Sequence, residues 1–238
     1  MEKLNKQRGL RNCNPLNIRR TADLWQGLAE LGWCGIHTAE EQGGLGLGDI
    51  DWVLMTQELG YYAIPDSLTD TAYVAAGMLA SLPEGHPLRS TWLPRVVDGS
   101  ARIAVGHPVN PWVADAHLAD LLLLPHATPE GLELHAVAGD QVQIQTERSI
   151  DASRRLAQVQ WQPSAATRVS DGASGNALWN TALERGALAV AGQLVGLAQR
   201  MLDMTVDYAG QRKQFGKPIG AFQAVKHHLA DVFTRSEE

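Results

Sequence analysis

The sequence predicts a multi-domain fold of α and β structure: an N-terminal all-α domain over 1–98, a small middle antiparallel β domain over 101–165 and a C-terminal helical part over 175–238. Apolar residues recur at steps of three and four in the first and last stretches and alternate with polar residues in the middle one. Clusters of proline, glycine and serine separate the three. With 238 residues, 45% hydrophobic and 19% charged, the chain can bury a core and has the composition of a globular protein rather than a disordered or coiled-coil one.

Leu24, Leu28 and Leu31 share one face of a first helix, and Gly43, Gly44, Gly46 and Gly48 then form a loop that no helix can cross. The asparagines and proline of Arg8–Trp25 disfavour a helix there. Asp49 reads as the N-cap of a helix that turns Ile50, Val53, Leu54 and Tyr61 inward until Pro65. A small-residue helix from Asp66 to Ser81 presents Leu68, Ala72, Ala75, Ala76 and Leu79, and a shorter segment spans Trp92–Val97. In the middle stretch Leu132, Leu134 and Ala136 alternate with Glu133 and His135, Val142, Ile144 and Thr146 with glutamines, and Ala157, Val159 and Trp161 with glutamines. These are strands with one wet face, whereas Leu121–Leu124 reads as a strand buried on both faces.

After a polar linker, Ser164–Asn176, a long helix from Thr181 to Tyr208 carries Leu183, Ala187, Val190, Ala191, Leu194, Ala198, Met201, Leu202, Thr205 and Tyr208 on a wide apolar face. That face needs cover, which predicts an oligomer or a poorly soluble monomer. Gly192 and Gly196, one turn apart, invite a close helix neighbour. A polar turn over 210–220 leads to a last helix with Phe222, Val225, Leu229, Val232 and Phe233 inward.

The net charge of −6 gives no global field for nucleic acid or anionic lipid. No apolar run is long enough to span a membrane and no signal peptide is visible, so a cytoplasmic location is expected, with no nucleic-acid or membrane partner. Cys13 and Cys34 are too few for a disulfide framework and lack the paired spacing of a zinc site, and no metal is expected.

Between Asp207 and Asp231 the chain holds Arg212, Lys213, Lys217 and Lys226 and no acid, a local cationic patch in an acidic protein. Arg212 offers a planar fork to phosphate, Phe215 a face for a ring, and Gln223 a hydrogen-bonding amide. By residue type alone the same stretch also fits a solvated corner with Phe215 packed. Its sequence, RKQFGKPIGAFQAVKHHLAD over 212–231, resembles the signature of the flavin-dependent acyl-CoA dehydrogenase family. LAELGWCGIHTAEEQGGLGLGDIDWVLMTQELG is similar to that family's N-terminal helical domain, and ALAVAGQLVGLAQRMLDMTVDYA to the helix before its signature.

The resemblance implies a middle β-barrel and a partial C-terminal α-helical bundle, FAD as cofactor, and α,β-desaturation of an acyl-CoA thioester, with an electron-transfer flavoprotein as acceptor. It implies that Arg212 meets the phosphate or adenosine part of FAD in a neighbouring like or unlike subunit, with Gln214, Phe215 and Gln223 alongside. The glycines at 43–48 are a turn in that family and not a dinucleotide fingerprint, since no predicted strand precedes them. The family's α-proton base is a glutamate. In many members it lies beyond the segment matched by this chain; in others it matches Gly186, which carries no base. The catalytic residue is therefore unknown. Glu184 should face another way, as an exposed acid in the helix's first turn, and Glu237 and Glu238 are terminal. The family's Thr-Glu-Pro and Gly-Ser-Asp loop is replaced by AVGHPVNPWVA over 104–114, where His107 reads either as a ligand contact or as a satisfied loop histidine. Shortened middle domains occur in members that pair as unlike subunits on steroid-type substrates, which admits two expectations: a C-terminally shortened dehydrogenase subunit, or a catalytically silent partner of an active homologue.

Overall fold

The computed structural model describes residues 15–65, 67–151 and 153–237, with side chains from 22 to 236. Cys13, Asp66 and Glu238 lie outside the described residues. The chain forms two compact units, one from the described part of Met1–Asp49 with Pro65–Ala187, the other from Ile50–Ile64 with Leu188–Glu238.

In the first unit, helix α1 is described over Pro15–Glu30. The expectation of no helix before Trp25 is thereby corrected: Asn17, one of the expected breakers, lies inside the described helix. Trp25 and Leu28 are buried whereas Leu31 is exposed, and the Trp25 indole donates to the Gly99 carbonyl at 2.8 Å. Cys34 is buried and outside any disulfide. The small-residue segment is a π-helix (Thr69–Ala75) running into α3 (Ala76–Ala80). Its expected inward residues Leu68, Ala72, Ala75, Ala76 and Leu79 are all buried. Helix α4 spans Pro87–Val97.

Seven strands follow: β1 (Ile103–Val105), β2 (Val113–Ala114), β3 (Leu121–Thr128), β4 (Gly131–Ala138), β5 (Gln143–Thr146), β6 (Leu156–Gln160) and β7 (Arg168–Ser170). They form one sheet in the order β1-β3-β4-β7 and a second in the order β2-β6-β5. Among the described residues no ladder joins the two, so the expected barrel is not closed, and the β1–β3 pair is parallel. Ile103, Val105, Leu121, Leu123 and Leu134 face a core shared with α3, α4, Trp179 and Ala182. Ala104, Leu122, Leu124 and Val137 face a second core with Val113 and Ala157 of the other sheet. Strand β3 is thus covered on both faces, as its unbroken leucines predict. His135 is 1% exposed, which corrects the wet face expected for β4: cover on both sides overrides the alternation.

The stretch expected as a linker supplies β7 and the start of α5 (Gly172–Gln211), a 40-residue helix. Glu184 is exposed as expected but lies in mid-helix, not in a first turn. Trp179 is fully buried and its indole donates to the Glu133 carbonyl at 3.1 Å. The same unit holds a polar knot. The Tyr73 hydroxyl donates to Asp49 at 2.6 Å, the Arg185 guanidinium lies over the Tyr73 ring and donates to the Tyr73 carbonyl at 3.1 Å, and the His37 ring meets Tyr73 edge-on. Burial, then the Arg185 charge, lower the His37 pKa, outweighing Asp49 and the Leu47 carbonyl, which raise it.

In the second unit, α2 (Asp49–Tyr61) packs on the C-terminal half of α5. A Cβ at Gly196 would overlap the Gln57 carbonyl oxygen, one at Gly192 the Thr56 hydroxyl and one at Gly60 the Gln193 carbonyl oxygen, so the two backbones touch through these glycines. This close approach fixes both helix faces. Trp52, Met55, Thr56 and Leu59 are buried, whereas Ile50 and Leu54, expected inside, are exposed. On α5 the small residues Ala189, Gly192 and Gly196 are covered, and the apolar residues Val190, Leu194, Met201 and Tyr208, expected inside, are exposed. Helix α6 (Gln223–Glu237) likewise leaves Val232 and Phe233 half-exposed.

Gly196→Val is expected to destabilise the protein by about 1–3 kcal/mol or more through overpacking. Gly210→Ala, at a helical position with nothing within 4 Å, is expected to stabilise by about 0.5–1 kcal/mol. Denaturant melts of both check this. His37 binds its proton less readily folded than unfolded, so its contribution to stability is full above about pH 6.5 and is lost as the pH falls below that value. Thermal melts from pH 7 to 5 should show a smaller acid-side loss in His37→Gln than in the wild type; equal slopes would contradict this.

Candidate functional site

Two places in the chain carry groups suited to chemistry or binding, one in each unit. In the second unit α5 ends in a hairpin of β8 (Lys213–Gln214) and β9 (Lys217–Pro218), paired Gln214 to Lys217 around a two-residue loop. The expected polar turn is therefore an ordered ribbon. Its loop residues Phe215 and Gly216 have φ of 51° and 78°, the positive values that the favoured two-residue hairpin turn requires at both positions. Glycine takes such a φ freely. A phenylalanine there is strained, and strain is retained where the surroundings or a function demand it. Phe215 is 91% exposed, with its ring set edge-to-face against Phe222, so little in this unit rewards that conformation.

The four residues singled out in the sequence come together here. Arg212, Gln214, Phe215 and Gln223 are all exposed. Arg212 lies over the Tyr208 ring and donates one hydrogen bond to the Tyr208 hydroxyl at 2.7 Å, which spends one of the five donors of its fork. Its carbonyl accepts from the Ile219 amide at 2.8 Å, which pins the hairpin to the turn before α6. Lys217 lies over the Phe222 ring. The donor set is cationic, aromatic and amidic, with no carboxylate between Asp207 and Asp231 to neutralise it. Those groups fit the diphosphate, ring and hydroxyls of a nucleotide cofactor.

In the first unit the candidates are histidines paired with carboxylates. The His107 Nε2 lies 3.2 Å from an Asp70 carboxylate oxygen, with the two side chains 22% and 19% exposed. The His135 Nε2 lies 3.0 Å from Glu133 and its Nδ1 2.9 Å from the Thr167 hydroxyl, while Glu133 also accepts from Arg168 at 3.2 Å. The hydrogen bond from His135, with Arg168 beside it, holds the Glu133 carboxyl below its usual range. His37 has Asp49 at 3.7 Å and the Leu47 carbonyl at 2.9 Å. Sequence reasoning considered only His107, and as a lone histidine. Its carboxylate partner stands 37 residues earlier on another element, a separation that no local spacing reveals.

A Cβ at Gly186 would meet the Cε1 of His107 at 3.5 Å and, among the described residues, nothing else outside its own helix. His107 also borders a cleft of about 360 Å³ lined by Val109, Val113, Leu124, Pro125 and Trp161. Among the described residues no group of three or more His, Cys, Asp or Glu side chains could hold a metal ion, and no helix is long and apolar enough to cross a membrane.

Residues 15–100 match the family model "Acyl-CoA dehydrogenase, N-terminal domain" and residues 173–238 match "Acyl-CoA dehydrogenase, C-terminal domain". The chain is 33% identical over 216 residues to "Acyl-CoA dehydrogenase IpdE2" of Mycolicibacterium smegmatis, across 90% of this chain and 62% of that one. It is 30% identical over 213 residues to the IpdE2 of Mycobacterium tuberculosis, across 88% and 60%. The chain thus spans about three fifths of the length of these curated relatives. Among solved structures the "Tcur3481-Tcur3483 steroid ACAD G363A variant" superimposes with a TM-score of 0.78 at 26% identity, over 99% of this chain and 74% of that one. Two domain models in the family's order, and relatives aligned along nine tenths of its length, show that this chain belongs to the acyl-CoA dehydrogenase family.

Proposed function

We propose that the chain is a flavoprotein subunit of an acyl-CoA dehydrogenase, acting in the α,β-desaturation of an acyl-CoA thioester, with an electron-transfer flavoprotein as the acceptor. The observation that carries this reading is the exposed cationic hairpin at the end of α5, whose residues fit FAD and whose aromatic tip is held in a strained, unpacked state. When bound, FAD supplies the two-electron acceptor for the β-hydrogen. Arg212 holds its phosphate or adenosine portion by charge-assisted hydrogen bonds, and Gln214, Phe215 and Gln223 orient it. Release of water from around Phe215 on contact with a ring adds an apolar contribution.

Partner dependence is part of the proposal. Val190, Leu194, Met201 and Tyr208 on α5 and Phe233 on α6 form an apolar surface that the second unit itself leaves exposed, and further helices or a like or unlike dehydrogenase subunit would cover it. A second reading, a catalytically silent subunit that lends its hairpin to an active homologue, is favoured by the absence of a carboxylate at Gly186 and by the exposed, outward Glu184.

The purified chain, alone and with a co-expressed dehydrogenase subunit, is expected to retain FAD in at least one of the two states. Arg212→Ala should weaken FAD retention about 10- to 100-fold, the worth of one charged hydrogen bond, while Gly210→Ala should leave it unchanged. Flavin absorbance after dialysis reads both. No flavin in either state, or equal retention by Arg212→Ala, contradicts the reading. A colourless chain that gains FAD only with its partner supports the partner-dependent form.

A further inference from the structure

We infer that His107, oriented by Asp70, is the base that takes the α-proton of the acyl thioester. The inference rests on the desaturation reading above and supplies the proton acceptor that Gly186 lacks.

The pair is built by two elements clasped at one point. The Thr71 hydroxyl donates to the Ile103 carbonyl at 2.9 Å and accepts from the Ile103 amide at 3.2 Å, which ties the π-helix to the first residue of β1. The ladder of β1 continues to Gly106, whose amide donates to the Leu123 carbonyl at 2.8 Å, and His107 follows directly. The clasp therefore fixes the spacing between Asp70, one residue before Thr71, and His107. A π-helical segment is uncommon, and such segments are frequently found at functional sites.

Proton logic assigns the nitrogens. An ionised carboxylate only accepts hydrogen bonds, so the His107 Nε2 next to Asp70 carries the hydrogen, and Nδ1 keeps the lone pair. Of the three histidine–carboxylate pairs among the described residues of this unit, His135 has both nitrogens engaged and is sealed at 1% exposure. His37 has its Nδ1 against the Leu47 carbonyl and its Nε2 towards Asp49. His107 leaves its Nδ1 for a ligand, borders a cleft and turns its Cε1 towards the space beside Gly186.

The step balances without any group beyond the thioester. The α-C–H bond breaks, its electron pair passes into the thioester carbonyl as an enolate, and the proton forms a bond to Nδ1. The imidazolium so formed is stabilised by Asp70, a positioning residue. Run alone, this step exchanges the α-hydrogens with solvent.

The test uses the full chain as it purifies, supplied with FAD and any co-purifying subunit, in D2O with 3-phenylpropionyl-CoA as the probe. Calorimetry reads binding and proton NMR reads loss of the α-hydrogen signal. The wild type should bind the thioester and exchange its α-hydrogens. His107→Ala should bind it but exchange about 10²- to 10⁴-fold more slowly, the usual range for loss of a general base, and added imidazole should restore exchange. Asp70→Asn should exchange more slowly, with no rescue by imidazole, whereas Glu184→Gln should match the wild type. Exchange by His107→Ala at the wild-type rate overturns this inference and leaves the desaturation reading standing. Binding without exchange in the wild type overturns the inference as well. Absence of thioester binding overturns the desaturation reading, and the inference falls with it. A His107→Ala chain with an altered circular dichroism spectrum is replaced by His107→Gln, which is held to the same outcomes.

Discussion

The backbone contact between α2 and α5 is the constraint on which the second unit depends. Gly60, Gly192 and Gly196 let two main chains touch where any side chain would separate them. Once that contact is made, the rotation of both helices is set. Trp52, Met55 and Leu59 go inward on α2, and most of the larger apolar side chains of α5 beyond Ala187 go outward, Leu202 excepted. Van der Waals contact along paired backbones is worth little per atom and much in sum, so it outweighs the burial that the larger side chains on the opposite face could have gained. The uncovered face and the exposed hairpin at the helix end are two results of the same choice.

Much of the fold was legible because its periodicity is simple. The uninterrupted leucines of β3 announced cover on both faces, and the small residues of the π-helix and α3 announced a tight layer. The rotation of α2 was misread for a physical reason. Trp52, Val53, Leu54 and Met55 are consecutive, so hydrophobicity surrounds the helix and cannot say which side is buried. The deciding signal was the spacing of Thr56 and Gly60 on α2 against Gly192 and Gly196 on α5, which is a relation between two helices rather than a property of either. The β4 alternation failed for a related reason: His135 is buried with a partner 32 residues away, Thr167, that local pattern cannot supply.

The candidate sites divide in the same way. The hairpin residues stand within a dozen positions of one another and could be found from charge and motif, although the strained turn at Phe215 could not. His107 and Asp70 meet only because Thr71 clasps β1, so the sequence offered a histidine without its carboxylate. The resemblance puts the family's base either beyond the matched segment or at the position of Gly186, which carries none. What stands within 4 Å of a Cβ built there is the Cε1 of His107.

In the proposed assembly the cationic hairpin ending α5 holds the diphosphate or adenosine of FAD. The most direct measurement is an experimental structure of the flavin-loaded assembly at a resolution that separates side chains. The Arg212 guanidinium is expected at about 2.7–2.9 Å from an oxygen of the cofactor, with Phe215 no longer in water. A flavin bound with the hairpin still solvated, or an assembly in which Arg212 faces only protein, would contradict it.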